Sequence, residues 1–381
     1  MTQNSCDVLI VGGGPAGLAA AIALRMRGAD VLVADALKPP IDKACGEGLM
    51  PDARSDLAAL GVHCEPGEGA PFRGIRFIDW TDREPVSASA DFASGAGIGM
   101  RRTALHARLV ERALEAGVRL RWNTHVALGS SVSLDREACR YGFLVGADGQ
   151  SSRVRRWAGL DACRLISRRF GFRRHYRMAA MSDFVEVHWC APGQVYITPV
   201  APDEICVAVV TRHSATRMQE IIDTIPPLRE RLPAKEAVTG ERGALTTTRR
   251  LRRVVKGNVA LIGDASGSVD AVTGEGLAIG FRQAALLSRS LANGSLDLYA
   301  VEHDNTLRMP RRMARGLLMA DKHASMRKGA MQVLARSPEL FHGLLQVHMG
   351  ELSLPHLLLH SAGIVRGLAF AGISASGRTS T

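Results

Sequence analysis

The sequence predicts an α/β protein in which a core of parallel strands is interrupted by an inserted antiparallel sheet and followed by a helical C-terminal region. Two observations support this prediction. Residues 7–35 read as strand, glycine turn, helix and strand, which is the order of a βαβ unit. Residues 161–249 contain three short strand-like runs, after which an apolar strand and a long helix resume the earlier pattern.

The first strand-like run, 8–11, ends in a glycine-rich turn, and the second, 31–34, follows an alanine-rich helical stretch. In a dinucleotide-binding turn each glycine has its own role. Gly12 allows the tight turn, Gly14 lets the backbone approach a pyrophosphate, and Gly17 lets the helix pack closely on the strand. The helix start also offers unpaired N–H groups and a partial positive charge to phosphate. The stretch therefore predicts a dinucleotide site.

Three more residues of this stretch belong to the predicted site. Pro15 and Ala16 begin the helix, where a phosphate would be bound. Asp35 follows the second strand and is placed to accept hydrogen bonds from a ribose. Glycine clusters also make ordinary turns, but the surrounding βαβ order favours the dinucleotide site.

The composition indicates a protein with a substantial core. The chain has 381 residues, 46% of them hydrophobic, which suits one large domain or two closely joined ones. No uninterrupted apolar run reaches about 18 residues, so no spanning helix is predicted. The N-terminus lacks a basic-then-apolar signal, so no export is implied. The seven cysteines form no CxxC pair, so we interpret them as reduced thiols of a cytoplasmic protein and predict no metal site.

The net charge of +11 is compatible with nucleic acid, an anionic membrane surface or anionic ligands. Aromatic residues make up only 5% and do not alternate with the basic clusters, which argues against nucleic-acid binding. Anionic cofactors and peripheral association with a membrane therefore fit better.

Two basic segments leave their role open. Residues 249–256 carry four arginines and a lysine, which form either a solvated edge or a surface for the phosphates of NAD(P)H or a lipid. Residues 311–328 mix basic residues with Leu and Met, and residues 354–373 are apolar but interrupted by two histidines and an arginine. Such segments can lie in a membrane interface. They can equally cap the substrate domain or pair with another subunit, and the oligomeric state stays open.

Periodicity predicts the remaining elements. The expected helices are 52–60, 101–117 and 277–291, with mainly helical structure after 296. The expected strands are short runs within 72–92 and 118–134, followed by 141–145, 184–189, 194–200, 205–211 and 259–262.

These elements divide the chain into parts. A discontinuous core comprises 1–160 and 250–295, and the antiparallel sheet domain comprises 161–249 and can also include part of 70–100. A helical region then covers 296–373, and a flexible tail covers 374–381.

A second motif lies in residues 145–153, VGADGQSSR, where a short apolar strand delivers Asp148 and Gly149 to a turn. On its own an Asp-Gly pair is typical of a hairpin turn.

A third motif lies in residues 261–276, LIGDASGSVDAVTGEG, where an apolar strand is followed by Gly263 and Asp264. The carboxylate can bind a ribityl or ribose hydroxyl. Gly274 and Gly276 open the following helix, whose start can meet a pyrophosphate or a polarised carbonyl oxygen. A glycine-rich connection without a ligand is the alternative.

Together the three motifs resemble the GxGxxG, DG and GD fingerprints of FAD-dependent oxidoreductases with the p-hydroxybenzoate-hydroxylase type of fold, over roughly residues 5–295. The resemblance implies an FAD-binding Rossmann-like core of the glutathione-reductase type. In that family the first glycine turn holds the FAD pyrophosphate, Asp35 holds the adenosine ribose, and Asp264 holds the pyrophosphate–ribityl region. Arg102 matches an arginine that contacts the flavin chain. Asp148 matches an acid that is associated with both FAD and nicotinamide-cofactor binding.

The loop 42–51, DKACGEGLMP, resembles the K-P-C-G-x-G-L segment of geranylgeranyl reductases and related prenyl-lipid reductases. The GEG of 274–276 is also closer to that branch than to the GQG of aromatic hydroxylases. This resemblance places Cys45 near the flavin face where substrate enters. A buried structural thiol is the alternative role for Cys45, since a nucleophile would need a lowered pKa.

The sequence departs from that branch at two places. Residues 194–199, QVYITP, keep only the proline and one aromatic of the reductase segment Y-x-W-x-F-P and of the halogenase segment W-x-W-x-I-P. Asp270 is followed by Ala271, where the family usually has Asp-Pro. The first departure disfavours a halogenase and weakens the reductase assignment, and the second affects the expected geometry of the loop after Asp264. Tyr196 either lies over the substrate pocket or is an ordinary strand aromatic.

The resemblance implies an FAD-dependent oxidoreductase that acts on a hydrophobic small molecule, most closely a geranylgeranyl-reductase-like enzyme that transfers hydride to carbon–carbon double bonds. The alternative is an NAD(P)H-dependent single-component flavin monooxygenase that hydroxylates or epoxidises an aromatic, polyketide or lipid substrate. No second GxGxxG is present, so NAD(P)H would bind transiently or a reductase partner would reduce the flavin. A flavin-free binding protein with the same fold is a third interpretation. No catalytic residue is assigned, and Cys45 and Tyr196 are the candidates near the flavin.

Overall fold

The computed structural model describes residues 5–64 and 67–359, and their elements have the predicted mixed α/β character. The strands are Ser5–Val11 (β1), Val31–Ala34 (β2), Gly48–Leu49 (β3), Ala70–Phe72 (β4), Gly74–Asp79 (β5), Val86–Asp91 (β6), Gly97–Gly99 (β7), Arg119–Arg121 (β8), Val126–Leu128 (β9), Val132–Leu134 (β10), Glu137–Ala138 (β11), Arg140–Gly146 (β12), Cys163–Tyr176 (β13), Phe184–Cys190 (β14), Gly193–Ala201 (β15), Glu204–Thr211 (β16), Arg242–Leu251 (β17), Val255–Lys256 (β18) and Val259–Leu261 (β19). The helices are Pro15–Arg25 (α1), Pro51–Ala59 (α2), Arg102–Glu115 (α3), Arg153–Trp157 (α4), Met218–Ile222 (α5), Pro226–Arg231 (α6), Gly276–Ala292 (α7), Asp297–Thr306 (α8), Arg308–Lys322 (α9), Ala324–Arg336 (α10) and Pro338–Met349 (α11).

The core is a six-stranded sheet in the order β18-β19-β12-β1-β2-β8 within the described residues. All of its neighbours pair in parallel except β18 and β19, which are antiparallel. Strands β2 and β19 are buried at every position, as expected for a parallel sheet covered on both faces. Helices α1 and α7 pack against each other. The carboxyl ends of β1, β12 and β19 therefore bring the three motif loops to one edge of the sheet.

A larger sheet has the order β17-β13-β16-β15-β14-β5-β6. Its neighbours are antiparallel except for β14 and β5, which run parallel. Strands β5 and β6 come from residues 74–91, so this sheet joins the middle of the chain to an earlier segment. Helices α5 and α6 cover one face of β15 and β16 with an apolar cluster. The other face points towards the C-terminal helices.

Two long strands at one side of this sheet, the edge strand β17 and its neighbour β13, were missed by the sequence analysis, which found three strands in the middle block. Both are rich in arginine and lack the apolar alternation of a half-buried strand. They pair with each other along almost their whole length. Arg169 and Arg173 are nevertheless buried, because carboxylates from distant segments neutralise them. No local pattern could reveal those partners.

Helices α8–α11 account for most of residues 297–349, in agreement with the predicted helical region. The predicted continuation to residue 373 and the tail 374–381 lie largely outside the described residues, which end at 359. Among the helices that the structure describes, none combines the length and the apolar character needed to cross a bilayer.

Candidate cofactor and substrate site

A cavity of about 720 Å³ lies between the carboxyl edge of the core sheet, the larger sheet and helices α9–α11. All of the predicted site residues line it except Gly17. They are Gly12, Gly14, Pro15, Ala16, Asp35, Cys45, Arg102, Asp148, Gly149, Tyr196, Gly263, Asp264, Gly274 and Gly276. Residues that are far apart in the chain therefore share one space.

The glycines of the first turn have two different roles: some allow close packing of the backbone, and one faces open space. Gly12 has φ +112°, and a Cβ there would lie 2.4 Å from the Ala147 carbonyl oxygen. A Cβ on Gly17 would lie 2.0 Å from the Gly12 oxygen, so Gly17 serves the packing of α1 on β1. At Gly14, by contrast, an added methyl group would have no atom within 4 Å. Gly14 therefore keeps open the space where a pyrophosphate would approach the N-terminus of α1.

Asp35 holds this turn in place. Its Oδ2 accepts a hydrogen bond from the Gly13 amide at 2.7 Å, and its Oδ1 accepts one from the Leu37 amide at 2.8 Å. On the opposite side, the buried His106 lies with Nε2 2.8 Å from the Gly13 oxygen. Burial lowers the pKa of His106, so a neutral ring that donates from Nε2 fits this contact. His106 was missed by the sequence analysis, because a histidine within an amphipathic helix carries no distinguishing signal.

Asp148 caps a helix instead of forming a hairpin. Its carboxylate accepts hydrogen bonds from the Ser152 hydroxyl at 2.5 Å and from the amides of Arg153 and Val154 at 2.6 and 3.1 Å. These bonds satisfy the first N–H groups of α4. Asp148 still lines the cavity, with Gly149 beside it at φ +76°.

Asp264 forms a charged group with Lys43 and Arg102. Lys43 Nζ donates to Asp264 Oδ2 at 2.8 Å. Burial raises the pKa of Asp264, but Lys43 and Arg102 more than offset it and hold the pKa below its usual value. The buried Nε of Arg102 has no hydrogen-bond partner in the described part of the chain. A carboxylate beside unsatisfied cationic donors suits the hydroxyls and phosphates of a dinucleotide, and Lys43 is a further contact that the sequence analysis did not assign.

The third motif lies against the first glycine turn at the glycine-rich end of the cavity. A Cβ on Gly263 would lie 2.9 Å from the Ala16 Cβ, so the first and third motifs are in direct contact. Gly274 adopts φ +71° and begins the turn into α7. No atom lies within 4 Å of a methyl position at Gly276. The start of α7 is therefore open to a flat ring or a phosphate.

Cys45 lies in a loop that is anchored by its neighbour Glu47. The Cys45 thiol is half-buried and accepts a hydrogen bond from the Glu47 amide at 3.4 Å. The Glu47 carboxylate is buried, lies 2.7 Å from His175 Nε2 and accepts a bond from the Arg102 amide at 3.1 Å. The loop that resembles the prenyl-reductase segment thus joins helix α3 to strand β13.

Glu47, His175 and Cys206 bring three potential metal ligands within 4.8 Å of one another. The Arg173 guanidinium lies 3.0 Å from His175 Nδ1 and 3.5 Å from Glu47 Oε1. Burial also raises the pKa of the Cys206 thiol well above its usual value, which opposes formation of a thiolate ligand. An arginine therefore supplies the positive charge of this cluster, and we interpret it as a buried ion-pair network.

Tyr196 presents its ring to the cavity and its hydroxyl to the sheet. The hydroxyl donates to Gln194 Oε1 at 3.1 Å, and Arg169 donates to the same oxygen at 2.7 Å. Burial raises the pKa of Tyr196, so the phenol stays protonated. The residue lines the cavity, but its hydroxyl is already hydrogen-bonded to Gln194.

The far end of the cavity is apolar. Its wall comes from the larger sheet, from helices α9–α11 and from Val272 of the third motif, and the sequence analysis assigned none of these residues to a site. The wall includes Phe77, Val187, Val272, Leu317, Leu334 and Phe341. Phe77 and Phe341 stack with ring centroids 5.0 Å apart. Such a wall suits an aliphatic or aromatic ligand and penalises a polar one.

Known proteins resemble this chain over most of its length. The family model described as "FAD binding domain" matches residues 5–295. A menaquinone reductase of Mycobacterium tuberculosis is 28% identical over 351 residues, which cover 82% of this chain and 84% of the relative. A digeranylgeranylglycerophospholipid reductase of Methanosphaera stadtmanae is 26% identical over 312 residues, which cover 71% of this chain and 74% of the relative.

A solved structure has a similar overall fold. The flavoprotein/dehydrogenase of Cytophaga hutchinsonii superposes with a TM-score of 0.77 at 17% sequence identity and covers 98% of this chain and 100% of its own. This likeness concerns the fold, and it confirms the predicted combination of a Rossmann-like core, antiparallel sheet and C-terminal helices.

Proposed function

The chain belongs to the FAD-binding-domain family and is an FAD-dependent oxidoreductase, and from this premise we propose that it reduces carbon–carbon double bonds in a prenyl lipid or a similar hydrophobic substrate. The observation that carries the proposal is the single cavity, with charged and glycine-rich groups at one end and an apolar wall at the other. The relatives named as reductases of menaquinone and of a digeranylgeranyl lipid support the same substrate class.

The residues of the glycine-rich end fit FAD. The N-terminus of α1 and the open space at Gly14 would accept the pyrophosphate, and Asp35 would accept the adenosine ribose. Lys43 and Asp264 would hold the ribityl and phosphate groups. When bound, FAD supplies reversible hydride chemistry, which protein side chains do not provide.

The apolar end would bind and orient the substrate. Side chains of Val187, Phe341 and their neighbours bury aliphatic surface, at a gain of about 25 cal/mol for each Å² removed from water. The same wall excludes water from the reacting carbon atoms. A substrate with buried hydroxyls would leave them without partners there, so we expect a preference for long unsaturated chains.

A monooxygenase is the second candidate function. The stacked rings of Phe77 and Phe341 would also suit an aromatic or polyketide substrate, which a flavin enzyme could hydroxylate or epoxidise with oxygen. The two candidate functions use the same cavity and the same cofactor, so they are distinguished by the products that each reaction forms.

The reductant would be NAD(P)H bound transiently, or a reductase partner. Arg153 is exposed and lines the cavity next to Asp148, and Gln150 lies at the same place. Arg249, from the basic segment 249–256, donates to the Gln150 oxygen at 3.1 Å. This positive edge could attract the phosphates of a nicotinamide cofactor.

Helices α9 and α10 support a peripheral association with an anionic membrane. Arg312, Arg315 and Lys322 are exposed on α9 and make no ion pair within the described chain, with the exposed Met319 among them. The only acid on α9 and α10, Asp321, is turned inward to Arg169 and Arg212. The same helices line the cavity, so a lipid could pass from bilayer to site. Because all seven cysteines are free thiols, we expect the cytoplasmic side.

Membrane association is tested by cosedimentation with vesicles. The unchanged protein should bind phosphatidylglycerol vesicles, and the triple variant R312E/R315E/K322E should not. Neither the unchanged protein nor the triple variant should bind phosphatidylcholine vesicles in high salt. The control R229E/R231E changes exposed arginines on α6, at the other side of the larger sheet. Equal binding of the triple variant and the unchanged protein would contradict the proposal.

The reaction is tested by single turnover. The purified protein should be yellow, with the absorbance band near roughly 450 nm expected of oxidised flavin. After reduction without oxygen, a geranylgeranyl lipid should reoxidise the flavin and yield a product with one more saturated bond. If reoxidation instead requires oxygen and labelled oxygen enters the product, the protein is a monooxygenase and the reductase proposal is wrong.

A further inference from the structure

Glu275 is a buried acid at the edge of the cavity, and its carboxylate has no hydrogen-bond partner among the described residues. It lies between Gly274 and Gly276, both of which line the cavity. The residue is 1% exposed, and neither carboxylate oxygen has a hydrogen-bond partner in the described part of the chain. Burial of an ionised carboxylate without partners is costly, so this group favours its protonated form.

The surroundings of Glu275 contain more negative than positive charge. Arg282 Nη2 lies 3.7 Å from Glu275 Oε1, but the same guanidinium is bonded to Asp52 and lies 3.8 Å from Asp56. Three carboxyl groups therefore share one arginine. Burial raises the pKa of Glu275 to about 8, against the opposing effect of Arg282, and burial raises the pKa of Asp56 to about 6.

His348 connects Glu275 with the cavity. It comes from α11, is buried, and lines the cavity. Its Nδ1 lies 3.5 Å from Glu275 Oε2 and has no hydrogen-bond partner in the described residues, whereas its Nε2 lies 3.2 Å from the Thr273 oxygen. Burial lowers the pKa of His348 to about 4, so the ring is neutral. With Nε2–H donating to Thr273, the Nδ1 lone pair faces the acid.

We propose that Glu275 and His348 deliver the proton that the reaction in the cavity consumes, with Asp52 and Asp56 returning protons from solvent. The proposal rests on the proposed reduction of a carbon–carbon double bond. Reduced FAD, when bound, would supply a hydride to one alkene carbon, and the electron pair of the π bond would be left on the other carbon. That carbon takes the Nε2 proton of His348, which leaves its hydrogen bond to the Thr273 oxygen, and Nδ1 takes the proton of Glu275.

Protons would return from solvent to Glu275 through the acidic side chains of α2. Glu275 is left as a carboxylate and His348 as its Nδ1–H tautomer. Glu275 regains a proton from the group around Arg282, and the His348 ring then returns to its Nε2–H tautomer, an isomerisation that moves no net proton. The Asp52 side chain is 16% exposed and the Asp56 side chain 32% exposed, so solvent reaches this end. The groups that face Glu275 are thus Arg282 on its own helix, Asp52 with Asp56 behind it on α2, and His348 on α11.

The variant Glu275→Gln separates proton delivery from a structural role. Glutamine keeps the shape of the protonated acid and its lack of charge, but it cannot release a proton. We expect normal folding and FAD content, and a turnover at pH 7 at least about 100-fold lower, the usual contribution of a positioned general acid. The variant Glu351→Gln, at an exposed position just beyond α11, serves as the control.

The variant His348→Gln should cause a similar loss, and the double variant should be no worse than either single one, because both residues act in one path. In the unchanged protein, turnover should fall as the pH rises through about 8, and this limb should be absent from the E275Q variant. Unchanged turnover together with an unchanged pH profile in E275Q would overturn the proposal.

A measurement on the FAD-free protein is independent of turnover. Infrared spectroscopy at pH 7 should show the carbonyl band of a protonated carboxyl group that is missing from E275Q. Absence of this band while alkene reduction proceeds would overturn the Glu275 proposal and leave the reductase function standing. Presence of the band without any alkene reduction would overturn the reductase function, and with it the stated destination of the proton.

Discussion

The two ends of the cavity are built in different ways. The cofactor end consists of backbone turns and a few polar side chains, contributed by three short motifs at the edge of one parallel sheet. The apolar end, which is called the substrate end because the proposed substrate would bind there, consists mainly of side chains from the larger sheet and from helices α9–α11. A binding site for a dinucleotide needs a particular backbone geometry, whereas a binding site for a hydrocarbon chain needs only sufficient volume and the exclusion of water. The first requirement leaves a local pattern in the sequence, and the second does not.

The largest effects are expected within the glycine turn, where two similar changes should have different consequences. Gly17→Ala forces a methyl group to within 2.0 Å of the Gly12 oxygen, so α1 must move off β1. We expect a loss of at least about 1–3 kcal/mol in the free energy of unfolding and no FAD binding. Gly14→Ala meets no atom within 4 Å, so the FAD-free variant should unfold normally but fail to bind FAD.

Thermal unfolding of both FAD-free variants and their flavin content check this contrast. If Gly14→Ala binds FAD as tightly as the unchanged protein, the pyrophosphate does not approach the turn there. If Gly17→Ala unfolds at the same temperature as the unchanged protein, α1 does not depend on close packing against the Gly12 oxygen.

A change of the acid at the same end should empty the cofactor site without unfolding the protein. Asp264→Ala removes the partner of Lys43 and the carboxylate that would bind the ribityl region. We expect the purified variant to be colourless, since the remaining cations lose their counter-charge and the hydroxyls lose their acceptor. The control Asp203→Ala changes an exposed acid on a turn of the larger sheet. Full flavin occupancy in Asp264→Ala would contradict the assignment.

A change at the substrate end should spare the cofactor. Leu344→Trp enlarges a side chain of the apolar wall on α11 and should fill part of the space for a hydrocarbon chain. We expect unchanged FAD content and a tenfold or greater rise in KM for a long prenyl substrate. Gln346→Trp lies two residues away on the same helix but outside the cavity lining, and should leave KM unchanged. Loss of FAD from Leu344→Trp would show that the two ends are not separable.

The smallest effects concern stability against acid. One buried neutral histidine lies at each end: His303, bonded to Ser266 and Gln283 behind the third motif, and His348 at the substrate end. Burial lowers the pKa of each from 6.5 to about 4. The unfolded chain therefore binds more protons than the folded one between pH 6.5 and 4, and stability falls as the pH falls through this window.

Denaturant unfolding of the FAD-free protein at several pH values measures this effect. Each histidine should contribute at most about 3 kcal/mol of acid sensitivity, so His303→Gln and His348→Gln should each flatten the curve between pH 6.5 and 4. The same slope in all three proteins would mean that the histidines are solvated or already charged.

Much of the cofactor end could be predicted from the sequence because the residues within each of its three motifs are neighbours in the chain. Gly12, Gly14 and Asp35 carry the turn and the acid within one βαβ unit, and the order of the three motifs identifies the family. The hydrogen-bond partners of the motif acids could not be predicted from the sequence. Asp35 and Asp148 are engaged with backbone amides here, and nothing in a motif tells a ligand-binding acid from one that holds the loop.

The substrate end could not be derived in the same way. Its wall combines Phe77 with Phe341, which are separated by most of the chain and meet only after the larger sheet and α11 pack together. Strand β13 escaped prediction for a related reason, because its buried arginines depend on carboxylates such as Asp42 from a distant loop. Glu275 belongs to the third motif, but only the three-dimensional structure shows that its carboxylate has no hydrogen-bond partner among the described residues.

The central claim is that one cavity holds the reacting part of FAD against a hydrocarbon chain. A crystal structure of the protein with FAD and an unreactive prenyl analogue tests it most directly. We predict the pyrophosphate at Gly14, the flavin ring beside Gly274–Gly276, and the analogue in van der Waals contact with that ring along the wall formed by Val187 and Phe341. An analogue bound outside this wall, or a flavin ring turned away from it, would contradict the account.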